Sequence, residues 1–130
     1  MGANYLIDTN TIVYLLDKKL PATAESFLAE VIDDVCQLSV ISQIELLSWQ
    51  TADLPARATP ETFVAECQII DLSAAVVQRT IQLRQIHKMK LLDAVIAATA
   101  LANDWTLISR NDGDFRKINE LKYLNPFTDL

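Results

Sequence analysis

Within Tyr5-Leu6-Ile7-Asp8-Thr9-Asn10 the chain passes from apolar to polar in a single step. A run of strand-forming residues ends in an acid, a hydroxyl and an amide, and an apolar pattern at helical spacing then begins at Ile12. A buried strand that hands directly to a helix is the building unit of an open α/β sheet. Such sheets present their ligands beyond the carboxyl ends of the strands. Asp8 therefore stands where chemistry is usually done. Capping of the next helix by Asp8 or Thr9 suits the same residue types, so this stretch decides nothing alone. The weight comes from Glu45, Asp93 and the Asp112/Asp114 pair, each of which follows or flanks another apolar segment.

Taken in order, residues 4–7 read as a strand and Thr9 to Leu16 as a short helix. Asp17-Lys18-Lys19-Leu20-Pro21 breaks it. Thr23 is a fitting cap for a second helix carrying Phe27, Leu28, Val31 and Ile32. Gln37 to Ile41 alternates as a strand, and Ser42 with Glu45 three residues on has the capping-box pattern. Residues 51–60, with Pro55 and Pro60, read as a loop, followed by a short helix from Glu61 to Glu66. Gln68 to Leu72 reads as a strand, and Ser73 caps a helix running to about His87. A further Ala-rich helix spans Leu91 to about Asn103, with Asp93 on the same face as Ile96, Ala97 and Ala100. Trp105 to Ile108 is a strand, residues 109–115 a polar loop, and Tyr123 to Phe127 a last short strand. Strands alternating with helices, without repeats or low-complexity linkers, predict an α/β fold: one domain over residues 1–130, a mostly parallel central sheet flanked by helices in an α/β/α sandwich.

Several function classes fall away on composition. No apolar run is long enough to span a bilayer, and the start lacks the basic region and apolar core of a secretory signal. Cys36 and Cys67 have no CxxC spacing, which suits free thiols in a reducing cytoplasm. One His and two distant Cys do not make a nitrogen/sulfur zinc site, so the ligands of any metal must be oxygens. His87, the one histidine, has no Gly-x-Ser-x-Gly elbow to serve. The net charge of −6 argues against a nucleic-acid partner, but its distribution does not. From Arg79 to Lys90 the chain holds Arg79, Arg84, Lys88, Lys90 and His87 and no acid. Such a patch can steer a phosphate backbone even on an acidic protein.

Converging carboxylates repel one another unless a cation neutralises them. Hard divalent cations take oxygen ligands and keep several waters besides one or two carboxylates. One or two such ions can lower the pKa of water and stabilise charge on a phosphoryl oxygen. That chemistry matches phosphodiester hydrolysis. Asn10, Ser109 and Asn111 are suited to hold the carboxylates in orientation.

The same stretches resemble a known family. Leu6-Ile7-Asp8-Thr9-Asn10 is similar to the opening motif of PIN-domain ribonucleases, and Ile41-Ser42-Gln43-Ile44-Glu45-Leu46-Leu47 to their second acidic motif. Leu92-Asp93-Ala94-Val95-Ile96-Ala97-Ala98-Thr99-Ala100 resembles the third, and Ser109-Arg110-Asn111-Asp112-Gly113-Asp114-Phe115 the fourth. The four come in the family's order over nearly the whole chain, and the compact size resembles the VapC-type toxins of toxin–antitoxin pairs. The resemblance implies an endoribonuclease dependent on Mg2+ (or Mn2+), cytoplasmic, often a homodimer, and neutralised by a cognate antitoxin. It places Asp8, Glu45 and Asp93 on the family's acidic positions. Asp114 is favoured for the fourth, with Asp112 as competitor or contributor. Thr9, Asn10, Ser109 and Asn111 would support them, and Arg84, Lys88, Lys90 and Arg110 are candidate RNA contacts.

Three other readings compete. The same metal chemistry serves a DNA or structure-specific nuclease, since discrimination of RNA needs contacts to the 2′-hydroxyl. A receiver-like regulatory module would want a basic partner late in the chain. A catalytically silent PIN-like module for protein binding would have no need of all four acidic positions.

Overall fold

A computed structural model describes residues 4–49 and 54–130. The elements run β1 (Tyr5–Ile7), α1 (Thr9–Leu16), α2 (Ala22–Asp34), β2 (Gln37–Ser39), α3 (Val40–Leu47), α4 (Leu54–Ala65), β3 (Gln68–Ile70), α5 (Ala74–Ile86), α6 (Leu91–Asn103), β4 (Thr106–Ile108), α7 (Asp112–Phe115) and β5 (Tyr123–Leu124). Every strand pairing among the described residues is parallel. β4 lies between β1 and β5, with Tyr5 opposite Thr106 and Leu107 opposite Tyr123. β2 pairs with β3, Gln37 opposite Gln68. The two ladders meet where β2 lies beside β1, and the Gln37 side-chain amide donates to the Tyr5 carbonyl at 2.9 Å.

Alternation along the strands divides the core in two, because successive side chains point to opposite faces. Leu6 and Leu107 enter a cluster with Val76, Leu83, Ile96, Ala97 and Phe115 on the α5–α6 side. Ile7 and Ile108 enter another with Ile12, Leu28, Val31 and Leu38 on the α1–α2 side. This is the expected sandwich. Ala94, Ala97, Ala98 and Ala100 of α6 are fully buried, and their small size lets α6 approach its neighbours closely.

Several boundaries differ from the sequence reading. The second helix begins at Ala22 after Pro21, so Thr23 is not its cap. β2 stops at Ser39, whose hydroxyl accepts from the Ile41 N–H at 3.1 Å and caps α3. Ser42 is therefore buried inside that helix and Glu45 is no capping-box partner. Within the expected loop, residues 51–53 lie outside the described residues, while α4 occupies 54–60 and continues to Ala65. Pro55 sits in the first turn of α4, where a missing N–H costs nothing. Pro60 and Val64 are buried, and that packing overrides the helix-breaking tendency of Pro60. The strands at 68, 105 and 123 are shorter than predicted, and the polar loop after β4 winds into the one-turn helix α7.

Candidate active site

Parallel pairing sends the carboxyl ends of β1 and β4 to the same edge, and the Thr9 hydrogen bonds to Ser42 and Glu45 bring the segment after β2 beside them. The Asp8 N–H donates to the Ile108 carbonyl at 2.9 Å, so the first residues beyond β1 and β4 are neighbours. Asp8 is only 6% exposed. Its Oδ1 accepts from the Thr9 N–H and its Oδ2 from the Ser109 hydroxyl, each at 2.8 Å. Asp8 does occupy the N-cap position of α1, but it bonds the first helical N–H rather than the second or third, where cap side chains usually reach. The carboxylate is held by Ser109, the first residue beyond β4, as much as by its own helix.

Glu45 comes from the second turn of α3. The Thr9 hydroxyl donates to Glu45 Oε1 at 2.6 Å and shares a 2.8 Å hydrogen bond with the Ser42 hydroxyl. A hydroxyl carries one proton, so donation to the carboxylate leaves Ser42 as donor to Thr9. Ser42 is fully buried and thus steers Glu45 through Thr9. Asp93 lies in the first turn of α6, where backbone N–H groups favour an anion. It lines one cleft with Asp114, which accepts from the Asn111 side-chain amide at 2.9 Å. Asn10, Glu45, Lys90, Leu91, Leu92, Asp93, Asn111 and Asp114 line an open cleft of about 490 Å³.

The electrostatics follow from this crowding. Burial pushes the Asp8 pKa up to about 6 against the bonds from Ser109 and Thr9, and the charges of Asp93 and Glu45 raise it further. Burial also raises Asp93, helped by the charge of Asp114 and the hydrogen bond between the two carboxyls; Lys90 opposes it. Neighbouring carboxylates repel one another unless a proton or a cation neutralises the charge.

The donor set fits a hard divalent cation. Every candidate ligand is a carboxylate or amide oxygen, with no His or Cys in the cleft. Among the described residues no three His, Cys, Asp or Glu side chains form a ready-made metal cage. An ion of the magnesium type needs none, since one or two carboxylates and water complete its shell.

Asp112 does not join the cluster. It accepts from the Tyr123 hydroxyl at 2.7 Å and from the Asn125 amide at 3.0 Å, and pairs with Arg116 at 3.3 Å. The Tyr123 and Asn125 bonds hold its carboxyl below the usual range, with Arg116 assisting. Tyr123 and Asn125 were invisible as site-shaping residues because nothing local marks a distant partner for Asp112. Ser42 carried a signal, but the cap reading claimed it.

A PIN domain model matches residues 5–121. The chain belongs to the PIN-domain family. Solved PIN-like neighbours include a chain of a toxin–antitoxin complex from Klebsiella pneumoniae, 27% identical, with a TM-score of 0.77 over 95% of this chain and 98% of that one. DNA-bound VapBC from Salmonella typhimurium shares 19% identity over 95% and 98% of the two chains, with a TM-score of 0.81. VapBC2 from Rickettsia felis, bound to a promoter DNA fragment, shares 23% over 93% and 97%, with a TM-score of 0.75. The last two establish the fold alone. Among curated proteins none matches.

On this PIN domain the basic candidates separate. Lys90 lines the acidic cleft, and Arg84 and Lys88 line an adjoining hollow of about 550 Å³ that shares Leu91 with it. Arg110 lies elsewhere, its guanidinium stacked over Phe127 at 4.1 Å and near Tyr14 at 5.4 Å. No helix among the described residues is long and apolar enough to cross a membrane.

Proposed function

We propose that this PIN domain is a divalent-metal-dependent endoribonuclease, cytoplasmic, and the toxin of a toxin–antitoxin pair. The observation that carries the reading is the gathering of Asp93, Asp114 and Glu45 in one cleft, with the buried Asp8 close enough to feel the charges of Asp93 and Glu45. Asp8, Asp93 and Asp114, with Glu45, would hold Mg2+ or Mn2+. The bound ion would supply a water of lowered pKa and charge stabilisation at the scissile phosphate. The protein's own groups do the positioning. Ser109 and the Thr9 N–H fix Asp8, the Ser42–Thr9 pair aims Glu45, and Asn111 aims Asp114. Lys90 at the cleft and Arg84 and Lys88 beside it would bind the RNA backbone. The stacked Arg110 is left out of that set.

The antitoxin reading draws on the Klebsiella complex and on a groove of about 500 Å³ lined by Val13, Leu16, Leu46, Trp49 and Pro60. Thr9 and Glu45 also line it, so an apolar helix seated there could extend a cationic side chain to the acidic site. A homodimer belongs to the same reading and is checked by light scattering. The enzymatic claim is checked by incubating RNA and single-stranded DNA with the purified chain in magnesium, in EDTA and with Asp93→Asn. Internal cleavage of RNA only, lost in EDTA and in the variant, is expected. Cleavage that persists in EDTA, or prefers DNA, overturns it.

A further inference from the structure

Cys36 and Cys67 are 31 positions apart, yet they occupy equivalent places immediately before β2 and β3. The parallel register pairs Gln37 with Gln68, and the Gln68 N–H donates to the Cys36 carbonyl at 2.8 Å. Neighbouring strands run about 4.8 Å apart, which falls in the Cα separation of about 4.4–6.8 Å that a disulfide spans. The side chains meet as well: both thiols are free, and their sulfurs share a 2.8 Å hydrogen bond. Cys36 is buried whereas Cys67 is half-buried and open to a small reagent.

We infer that Cys36 and Cys67 are a dithiol poised for reversible oxidation by peroxide to an intrachain disulfide, which staples β2 to β3. The Cys67 sulfur attacks one peroxide oxygen. The O–O bond breaks, and the departing hydroxide takes the Cys67 thiol proton to leave as water, giving a Cys67 sulfenic acid. The Cys36 sulfur then attacks the Cys67 sulfur and displaces the hydroxyl, which leaves as water with the Cys36 proton. Two thiols lose two electrons and one peroxide becomes two waters. The hydrogen bond between the thiols lowers the Cys67 pKa, and the same bond and then burial raise that of Cys36, which agrees with Cys67 as the attacking sulfur.

The position of the pair tells what the staple does. It lies at the amino ends of β2 and β3, whereas the acidic cleft lies beyond the carboxyl ends. The segment it closes carries α3, α4 and Glu45. Oxidation therefore leaves the cleft's geometry alone and holds that segment against unfolding.

The test is titration of the purified full chain with hydrogen peroxide, read by intact mass, thiol count, non-reducing electrophoresis and melting. The expected product is a monomer lighter by about 2 Da with no free thiol. Its melting temperature should be higher by on the order of 10 °C, and dithiothreitol should restore the reduced form. Cys36→Ser should stop at a sulfenic acid that dimedone traps. Cys67→Ser should react far more slowly. Two thiols surviving peroxide, sulfinic acid on the wild type, or disulfide-linked dimers would overturn the inference. None of these readouts depends on cleavage of RNA.

Discussion

Replacing Asp8 by Asn removes one charge at nearly constant shape and separates a metal-site carboxylate from a structural cap. In the metal-free protein the Asp8 carboxyl is raised from 3.8 to about 6, so at neutral pH its ionised form opposes folding. At about 1.36 kcal/mol per pKa unit, that opposition is about 3 kcal/mol. Asparagine escapes it but weakens the charge-assisted bonds from Thr9 and Ser109. A net gain of about 1–2 kcal/mol at pH 7–8 is expected. The pH dependence has a definite sign. Because the folded pKa is the higher one, the native state binds the proton more readily, and the wild type gains stability as pH falls through 6 towards 3.8. The advantage of Asp8→Asn should therefore be largest above pH 6 and vanish near pH 4. Saturating magnesium stabilises only an intact site, by about 2.7 kcal/mol at a hundred times Kd. The order of the two proteins should then reverse. Urea unfolding of both proteins, with EDTA and with magnesium, measures all of this. Equal destabilisation of Asp8→Asn in both conditions, independent of pH, would refute the reasoning and leave Asp8 a structural acceptor.

Three further outcomes distinguish the roles assigned to neighbouring groups. Asp112→Asn should lower the melting temperature, because Asp112 ties together Tyr123, Asn125 and Arg116, and should keep cleavage within a few-fold; Asp114→Asn should do the opposite, and calorimetric melting with an RNA assay separates them. Ser109→Ala removes the hydroxyl that stabilises ionised Asp8 and should cost roughly 1–2 kcal/mol at pH 8 in EDTA, less at pH 5 where Asp8 is protonated, by urea titration. Trp49→Ala, at an exposed residue of the apolar groove, should weaken antitoxin binding by roughly tenfold or more while RNA cleavage by the free protein is unchanged.

The sandwich was legible because short continuous apolar runs such as Tyr5-Leu6-Ile7 mark strands covered on both faces, and because α6 concentrates its alanines on the buried side. Asp8, Glu45 and Asp114 were legible as acids at or soon after strand ends, whereas Asp93 reaches the same cleft as Glu45 and Asp114 from the start of α6. What local pattern could not settle was register. Ser39 and Ser42 are both good caps, and only the length of β2 decides between them. Asp112 and Asp114 are two residues apart on a helical turn, hence on nearly opposite sides of it; one faces Tyr123 and the other the cleft. Pro60 reads as a breaker until its burial is known. The meeting of Cys36 and Cys67 depends on the pairing of β2 with β3, which neither segment announces.

The most direct measurement titrates manganese into the metal-free protein and follows bound ion by electron paramagnetic resonance and RNA cleavage in the same samples. Cleavage should rise in proportion to bound manganese, and Asp93→Asn and Asp114→Asn should lose both together. Cleavage before any manganese binds, or undiminished manganese binding in a variant lacking both carboxylates, would contradict a metal centre built from this cleft.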